Sequence, residues 1–310
     1  MLAVSLEQAR QLFASGIVNG SAYGLLGVAF ALILGVTGRF HFAFGAIYTL
    51  TAYLAFTFVD RVGLGYWPAV VLALVLIPFA GAGVEWFVYR PLAVRAGGNA
   101  LLAIFVAALG LGIALENFIR IVWGSQTNGL RGWKIRGVEI GGANLINIDL
   151  YAVGTAAVLV LLLAAALRYT SFGRAVKATR SNPDMALLIG IDPRLVYVVV
   201  FAASTFLAGV AAIFAATKFS VEPSMGFRPV VLAFVVAFFG GTASSPVRVY
   251  LTGIGVGLIE TMSSLWVSVR WTQISVFVIL LVYLVAKSIA AGGPLRFDIR
   301  RLLTRPREAL

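Results

Sequence analysis

The chain has 310 residues, 61% of them hydrophobic and only 12% charged, with a mean hydropathy of +0.98. Soluble domains carry about 25% charged residues, so a water-soluble fold is excluded. The net charge of +12 is spread over short loops and does not form one basic stripe, which argues for positive-inside sorting and against nucleic acid as a partner. The absence of cysteine removes disulfides, thiolate nucleophiles and Cys-based metal sites together. Uncharged runs at 11–38, 62–84, 195–217 and 229–247 each reach the roughly 18 residues of a spanning helix. A β-barrel would instead alternate over segments of about ten residues. The chain reads as an all-α polytopic membrane protein.

In chain order the apolar segments fall at 11–37, 40–59, 66–88 and 99–121, then at 150–168, 194–218, 227–240, 247–268 and 272–289. The first is expected to be a retained span, because "MLAVSLEQARQLFASG" has neither the basic start nor the small-residue cleavage site of a signal peptide. "GRFHFAFG" in the second and "FGGTASSP" after the seventh look like breaks, so the bundle has eight or nine crossings with half-helices among them. Gly16, Gly20 and Gly24 recur every fourth residue on one face of the first helix, and Gly253 and Gly257 repeat the device in the eighth. Such faces let helix backbones approach closely.

Lys and Arg set the orientation. The interlude 170–193, the bend "YRPLAVR" and the tail 290–310 share one side when there are nine segments, and the positive-inside rule makes that side cytoplasmic. The loop 123–148 then lies outside, although it carries Arg131, Lys134 and Arg136. Alternation in "WKIRGVEI" predicts a short hairpin there.

The interlude stands apart from the apolar chain around it. Ser181 and Asn182 are N-cap residues, Pro183 fits the first helical position, Asp184 complements the positive helix end, and Gly190 suits a left-handed stop. Pro183–Ile189 therefore predicts an isolated helix of about two turns, and Asp192 with Pro193 restarts the chain into the next span. So short a helix needs something to dock against. Its apolar residues Met185, Leu187, Leu188 and Ile189, with Arg174, Lys177 and Arg180 before them, fit either lipid headgroups or a cytoplasmic partner.

"FGRAVKATRSNPDMALLIGID" resembles the cytoplasmic coupling loop of permease subunits of ABC importers of the branched-chain amino acid type. "GIVNGSAYGLLGVAFALILGVTGRFHFAFGAIYTLTAY", "VYRPL" and "AFFGGTASSPVRVYLTGIGVGLIE" resemble other parts of the same family in the same order. The resemblance implies a non-catalytic permease of the bacterial inner membrane, moving branched-chain or related amino acids by alternating access. It implies four kinds of partner: two ATP-binding subunits, a second and commonly different permease, an external substrate-binding protein, and the lipid bilayer. ATP and its magnesium belong to the partner subunits, since this chain has no G-x-x-x-x-G-K-[S/T] phosphate loop and is expected to bind no cofactor or metal. Gly173, Arg174, Lys177, Arg180, Asp184, Leu188 and Gly190 are the implied ATPase-coupling residues.

Candidate pathway residues are Asn19, Tyr23, His41, Phe42, Gly45 and Glu260. Asn19 and Tyr23 share a face with Ser15 in the first helix, where hydrogen bonding between helices and lining of the route both fit. The family has an Asn-Phe-Ala-His-Gly pattern where this chain has His41-Phe42-Ala43-Phe44-Gly45, and the departure bears on the substrate. His41, the only histidine, fits a structural donor or a pathway residue. Glu260 in mid-span must face the interior, a wet route or a cationic partner. Glu116 is expected to pair with Arg120, and Glu85 to sit near headgroups. The intramembrane glutamates leave an ion-coupled secondary transporter as the alternative. One histidine without cysteine supplies no usual zinc site, and no G-x-S-x-G nucleophile occurs, so no catalytic residue is assigned.

Overall fold

The computed structural model describes residues 6–242 and 245–266, with three further helical positions at 278, 282 and 285. The expected ninth segment at 272–289 and the basic tail lie outside the described residues. Among the described residues, five helices are long and apolar enough to cross a membrane: Glu7–Thr37, Tyr66–Arg95, Gly97–Trp123, Asn147–Tyr169 and Pro193–Lys218.

Helix α1, Leu6–Thr37, runs 32 residues without proline. At 1.5 Å per residue it is about 48 Å long, more than the roughly 30 Å hydrocarbon core needs. Helix α2, Phe44–Phe56, continues through a wider π turn, Thr57–Arg61. Helix α3, Tyr66–Gly83, passes through a second π turn, Val84–Tyr89, into α4, Arg90–Arg95. The "YRPL" bend is thus a widened turn inside one helical column. Pro91, which has no N–H to donate to the preceding turn, follows directly on this widened stretch.

Helix α5 is Ala100–Trp123 and α6 is Asn147–Tyr169. Between them β1, Gly137–Ile140, pairs antiparallel with β2, Ala143–Ile146. The hairpin lies further along the chain than "WKIRGVEI" suggests. Gly141 and Gly142 adopt φ of 60° and 81°, the pair of left-handed residues of a two-residue turn whose twist matches that of the strands. The turn, more than the alternation, sets the register.

The interlude holds two helices. Residues Ser171–Ser181 form α7, read from the sequence only as a basic approach, and Pro183–Leu188 form α8. Thr170 caps α7 by accepting from the Gly173 N–H at 3.3 Å. Val176 and Thr179 turn inward while Arg174, Lys177 and Arg180 face out. Its amphipathic period is plain once the proline at 183 is assigned to the next helix. Ser181 closes α7, so Asn182 alone caps α8.

Helices α9, Pro193–Lys218, α10, Phe227–Gly240, and α11, Pro246–Ser263, complete the described bundle. At 14 residues α10 is about 21 Å long, shorter than the hydrocarbon core. Helices α1 and α9 are mostly buried, whereas α5 and α6 expose apolar faces such as Leu102, Val106 and Leu161. Exposed apolar residues of this kind are at home against lipid tails.

The glycine stripes of α1 and α11 meet each other. A Cβ on Gly20 would stand 2.6 Å from the Ile254 Cα, and one on Gly16 2.9 Å from Leu258 Cδ2. A Cβ on Gly253 or Gly257 would run into the backbone of Gly24 or Gly20. Beside this contact the Ser21 and Tyr250 hydroxyls share a hydrogen bond of 2.5 Å. Gly20→Val should therefore push α11 off α1, costing about 1–3 kcal/mol or more through overpacking. A lowered midpoint of thermal aggregation in purified protein, with Asn117→Ala on the exposed helix α5 as the neutral control, is the expected result.

Candidate transport site

A cavity of about 580 Å³ opens at the bundle end that carries the hairpin. Helix α1 contributes Asn19 and Tyr23, α2 Tyr48, α9 Lys218, α10 Arg228 and α11 Glu260. Asp149, from the first turn of α6, also borders it. Four charged groups so close to lipid need partners, and they have them. Lys218 Nζ donates to Asp149 Oδ1 at 2.6 Å, and Arg228 Nη2 donates to Glu260 Oε1 at 2.6 Å. In both pairs the carboxylate is the buried member: 6% of either side chain is exposed, against 26% for Lys218 and 58% for Arg228. The second oxygen of Glu260 is buried, with the Tyr23 hydroxyl beside it. The floor is apolar, with Leu25, Leu26, Ala156 and Leu232.

A second cavity of about 570 Å³ lies along the same helices at the other end. Val28, Leu32 and Val36 of α1 and Leu163 and Leu167 of α6 line it, and Lys177 and Arg180 of α7 stand at its edge. Along α1 the first cavity ends at Leu26 and the second begins at Val28. The septum between them is one residue on α1 but runs from Ala156 to Leu163 on α6 and from Val249 to Glu260 on α11. Its α1 residue, Gly27, packs so closely on α10 that any Cβ would strike the Val236 side chain.

Asn19, Tyr23 and Glu260 come together in the first cavity, while Ser15 lies above it and accepts a 3.5 Å bond from Gln11. His41, Phe42 and Gly45 are placed elsewhere. His41 is fully buried, with its Nδ1 2.7 Å from the Tyr89 hydroxyl and its ring against Phe44 and Phe201. Phe42 packs edge-on against Phe105 at 5.4 Å. Gly45 lies so close to Gly226 that a Cβ would meet its carbonyl oxygen at 2.7 Å. These three residues hold the α1–α2 break and do not border either cavity.

The break has a further support. The Arg39 guanidinium chelates both oxygens of Glu85, and its carbon lies 5.1 Å from the centre of the Tyr197 ring. Glu85, expected near headgroups, is 2% exposed in its side chain. A carboxylate is buried here because a fixed-charge partner from the break meets it. Glu116 and Arg120 pair at 2.6 Å on the exposed face of α5.

At the α7–α8 end the sequence-assigned coupling residues are on the surface. Asn182 accepts from the Asp184 and Met185 N–H groups at 3.0 and 3.1 Å. Gly190 takes φ 84°, and the next N–H, of Ile191, reaches back to the Ala186 carbonyl at 2.9 Å, the closure of a left-handed helix stop. Leu188 and Ile189 are 78% and 71% exposed. Gly173 is buried where α6 turns into α7, and a Cβ there would strike the Leu167 backbone. Asp149, Lys218 and Arg228 were not singled out from sequence. The available signal was Glu260 itself, whose burial demanded a cation.

Residues 12–286 match the family described as the branched-chain amino acid transport system permease component. The chain belongs to that family. It is 28% identical over 300 residues to the high-affinity branched-chain amino acid transport system permease protein LivH of Escherichia coli K12, covering 92% of this chain and 96% of that one. It is 27% identical over 269 residues to the corresponding permease protein BraD of Pseudomonas aeruginosa, covering 82% and 86%. No solved structure gave a significant match. Membership favours the permease reading over ion-coupled transport, and with the apolar helices it makes the permease a multi-pass membrane protein.

Breaking the Arg39–Glu85 pair from one side leaves a buried charge unpaired, which typically costs about 3–5 kcal/mol. Glu85→Ala and Arg39→Ala should each lower the permease's thermal midpoint sharply. The double variant should lose less than the two single losses added together, as a double-mutant cycle in lipid nanodiscs would show.

Proposed function

We propose that this chain is a membrane-spanning subunit of an ATP-binding-cassette importer in the bacterial cytoplasmic membrane, giving branched-chain amino acids an alternating-access route. The observation that carries this reading is the pair of cavities, one toward each end, kept apart by the septum that spans Gly27 of α1 and the stretches 156–163 of α6 and 249–260 of α11. A route that needs only that septum to open and one mouth to close is suited to alternating access. The hairpin end then faces the outside, where an external binding protein delivers cargo, and the α7–α8 end faces the cytoplasm.

The drive comes from elsewhere. Helix α8 is a six-residue element, too short to be stable alone, yet it is capped at both ends and presents Met185, Leu187 and Leu188 outward. An apolar patch on so short a helix, facing water, gains by being covered. Two ATP-binding subunits supply that cover and the mechanical stroke, with ATP and magnesium held by them. A second permease, commonly a different chain, completes the pathway. Helix α7 joins α8 to the rim of the inner cavity through Lys177 and Arg180, so displacement of α8 reaches the cavity along one short column. The chain performs no covalent step.

Leu188→Asp should weaken docking about tenfold or more, given about 1.5–3 kcal/mol for a buried leucine. Leucine uptake into vesicles should fall in parallel, while insertion and thermal midpoint stay unchanged. Gly190→Val should act in the same direction by straining the left-handed stop. Uptake in the parent should survive a proton uncoupler and stop on ATP depletion. Unimpaired copurification and uptake in both variants would remove the coupling role of α8.

A further inference from the structure

We propose that the outer cavity is itself a recognition site for a zwitterionic aliphatic amino acid, which binds by substituting its own charges into the Arg228–Glu260 pair. This deepens the permease reading and rests on it. Glu260 is fixed and Arg228 is not: the carboxylate side chain is 6% exposed on α11, the guanidinium side chain 58% exposed at the start of α10. Oε1 accepts from Arg228, and the buried Oε2 has the Tyr23 hydroxyl beside it but no second cation among the described residues. A buried carboxylate with one cation and one neutral hydroxyl has lone pairs left for a further charged donor. An α-ammonium group supplies up to three.

Charge balance decides which ligands are admitted. When a zwitterion enters, its carboxylate turns to Arg228 and its ammonium to Glu260, so both protein charges stay paired and the site's net charge is unchanged. A ligand with only a carboxylate draws Arg228 away and leaves buried Glu260 uncompensated, which is strongly unfavourable. One with only an ammonium must compete with Arg228 for that carboxylate and brings no anion to hold the guanidinium. The Lys218–Asp149 pair repeats the arrangement across the cavity, again with the carboxylate buried and the cation toward the mouth. The exposed cations meet the incoming carboxylate first, and the buried carboxylates lie deeper. Leu25, Leu26 and Leu232, all buried, give an aliphatic side chain an apolar surface to rest on. Glu222 also borders the cavity but is exposed at the surface, where water screens it.

The chain has no cysteine, so Ala152→Cys, on the cavity wall, gives a single reporter thiol in the permease. The measurement is the rate of maleimide labelling at that position in proteoliposomes holding the complete importer, read by mass on this chain. Millimolar L-leucine should slow labelling several-fold, whereas leucinol, which lacks the carboxylate, and 4-methylpentanoate, which lacks the ammonium, should not. Arg228→Gln and Glu260→Gln should each weaken leucine protection about tenfold or more, the scale of a lost charge-assisted hydrogen bond. Arg228→Gln should gain protection by leucinol and Glu260→Gln by 4-methylpentanoate, a reciprocal change that a merely structural pair would not produce. Arg228→Lys should keep the parent pattern. Equal protection by all three ligands, or parent-like leucine protection in both glutamine variants, overturns the proposal. So does a complex that takes up leucine on ATP without any protection, an outcome that leaves the permease reading intact. A complex with no ATP-driven leucine uptake overturns that reading, and this one with it.

Discussion

The backbone contact between α1 and α11 is the constraint on which the rest of the bundle depends. In lipid there is little hydrophobic gain from pressing one apolar helix on another, so close association relies on dispersion contacts at short range. Glycines at 16, 20 and 24 facing 253 and 257 remove the side chains that would keep the axes apart. Three consequences follow in space. Glu260 is brought beside Tyr23, Tyr250 reaches the Ser21 hydroxyl, and the remaining face of α1 is left free to line both cavities. The septum uses the same device once more, at Gly27 against Val236 of α10.

Charge inside this bundle is handled by pairing. Arg39–Glu85 locks the α1–α2 break, and Lys218–Asp149 and Arg228–Glu260 border the outer cavity. The environments differ, and so do the roles. The first pair has both members buried and is fixed from both sides, with Tyr197 stacked under the guanidinium. The other two keep a buried anion and an exposed cation, an arrangement able to open without exposing a carboxylate to lipid. A pair of the first kind makes a rigid joint. A pair of the second kind makes a surface that exchanges partners.

The two ends of the molecule accordingly have different chemistry. The hairpin end offers a polar mouth over an apolar floor. The α7–α8 end offers exposed leucine and isoleucine on a capped short helix above a second cavity edged by cations. Between them α1 and α9 form the buried centre, and α5 and α6 turn their apolar faces outward. Motion at α8 has a short path inward, because α7 is packed on α6 and α9 and stands at the cavity rim. The fold thus joins a lever to a gate with little intervening structure.

Local rules were enough for much of this. Hydrophobic runs marked eight of the described helices to within a few residues, because a lipid-spanning helix must satisfy its backbone internally and cannot hide its composition. Caps were equally legible: Asn182, Pro183, Gly190 and Asp192 act on their own neighbours, so their sequence context is their structural context. The i,i+4 pair Glu116–Arg120 is local for the same reason. Helix α7 escaped notice because its apolar residues are small and few. The burial of Glu85 was not legible because its partner, Arg39, stands 46 residues away. The cations that complete the outer cavity were invisible for that reason too, since Arg228 meets Glu260 across 32 residues and Lys218 meets Asp149 across 69. His41, distinctive in composition, proved to be held by Tyr89 and Phe201, contacts that only packing creates. Sequence by itself determined the membrane-spanning class, the helices and their stops. Which charges neutralise one another, and therefore where a polar solute can pass, was decided only when the helices closed.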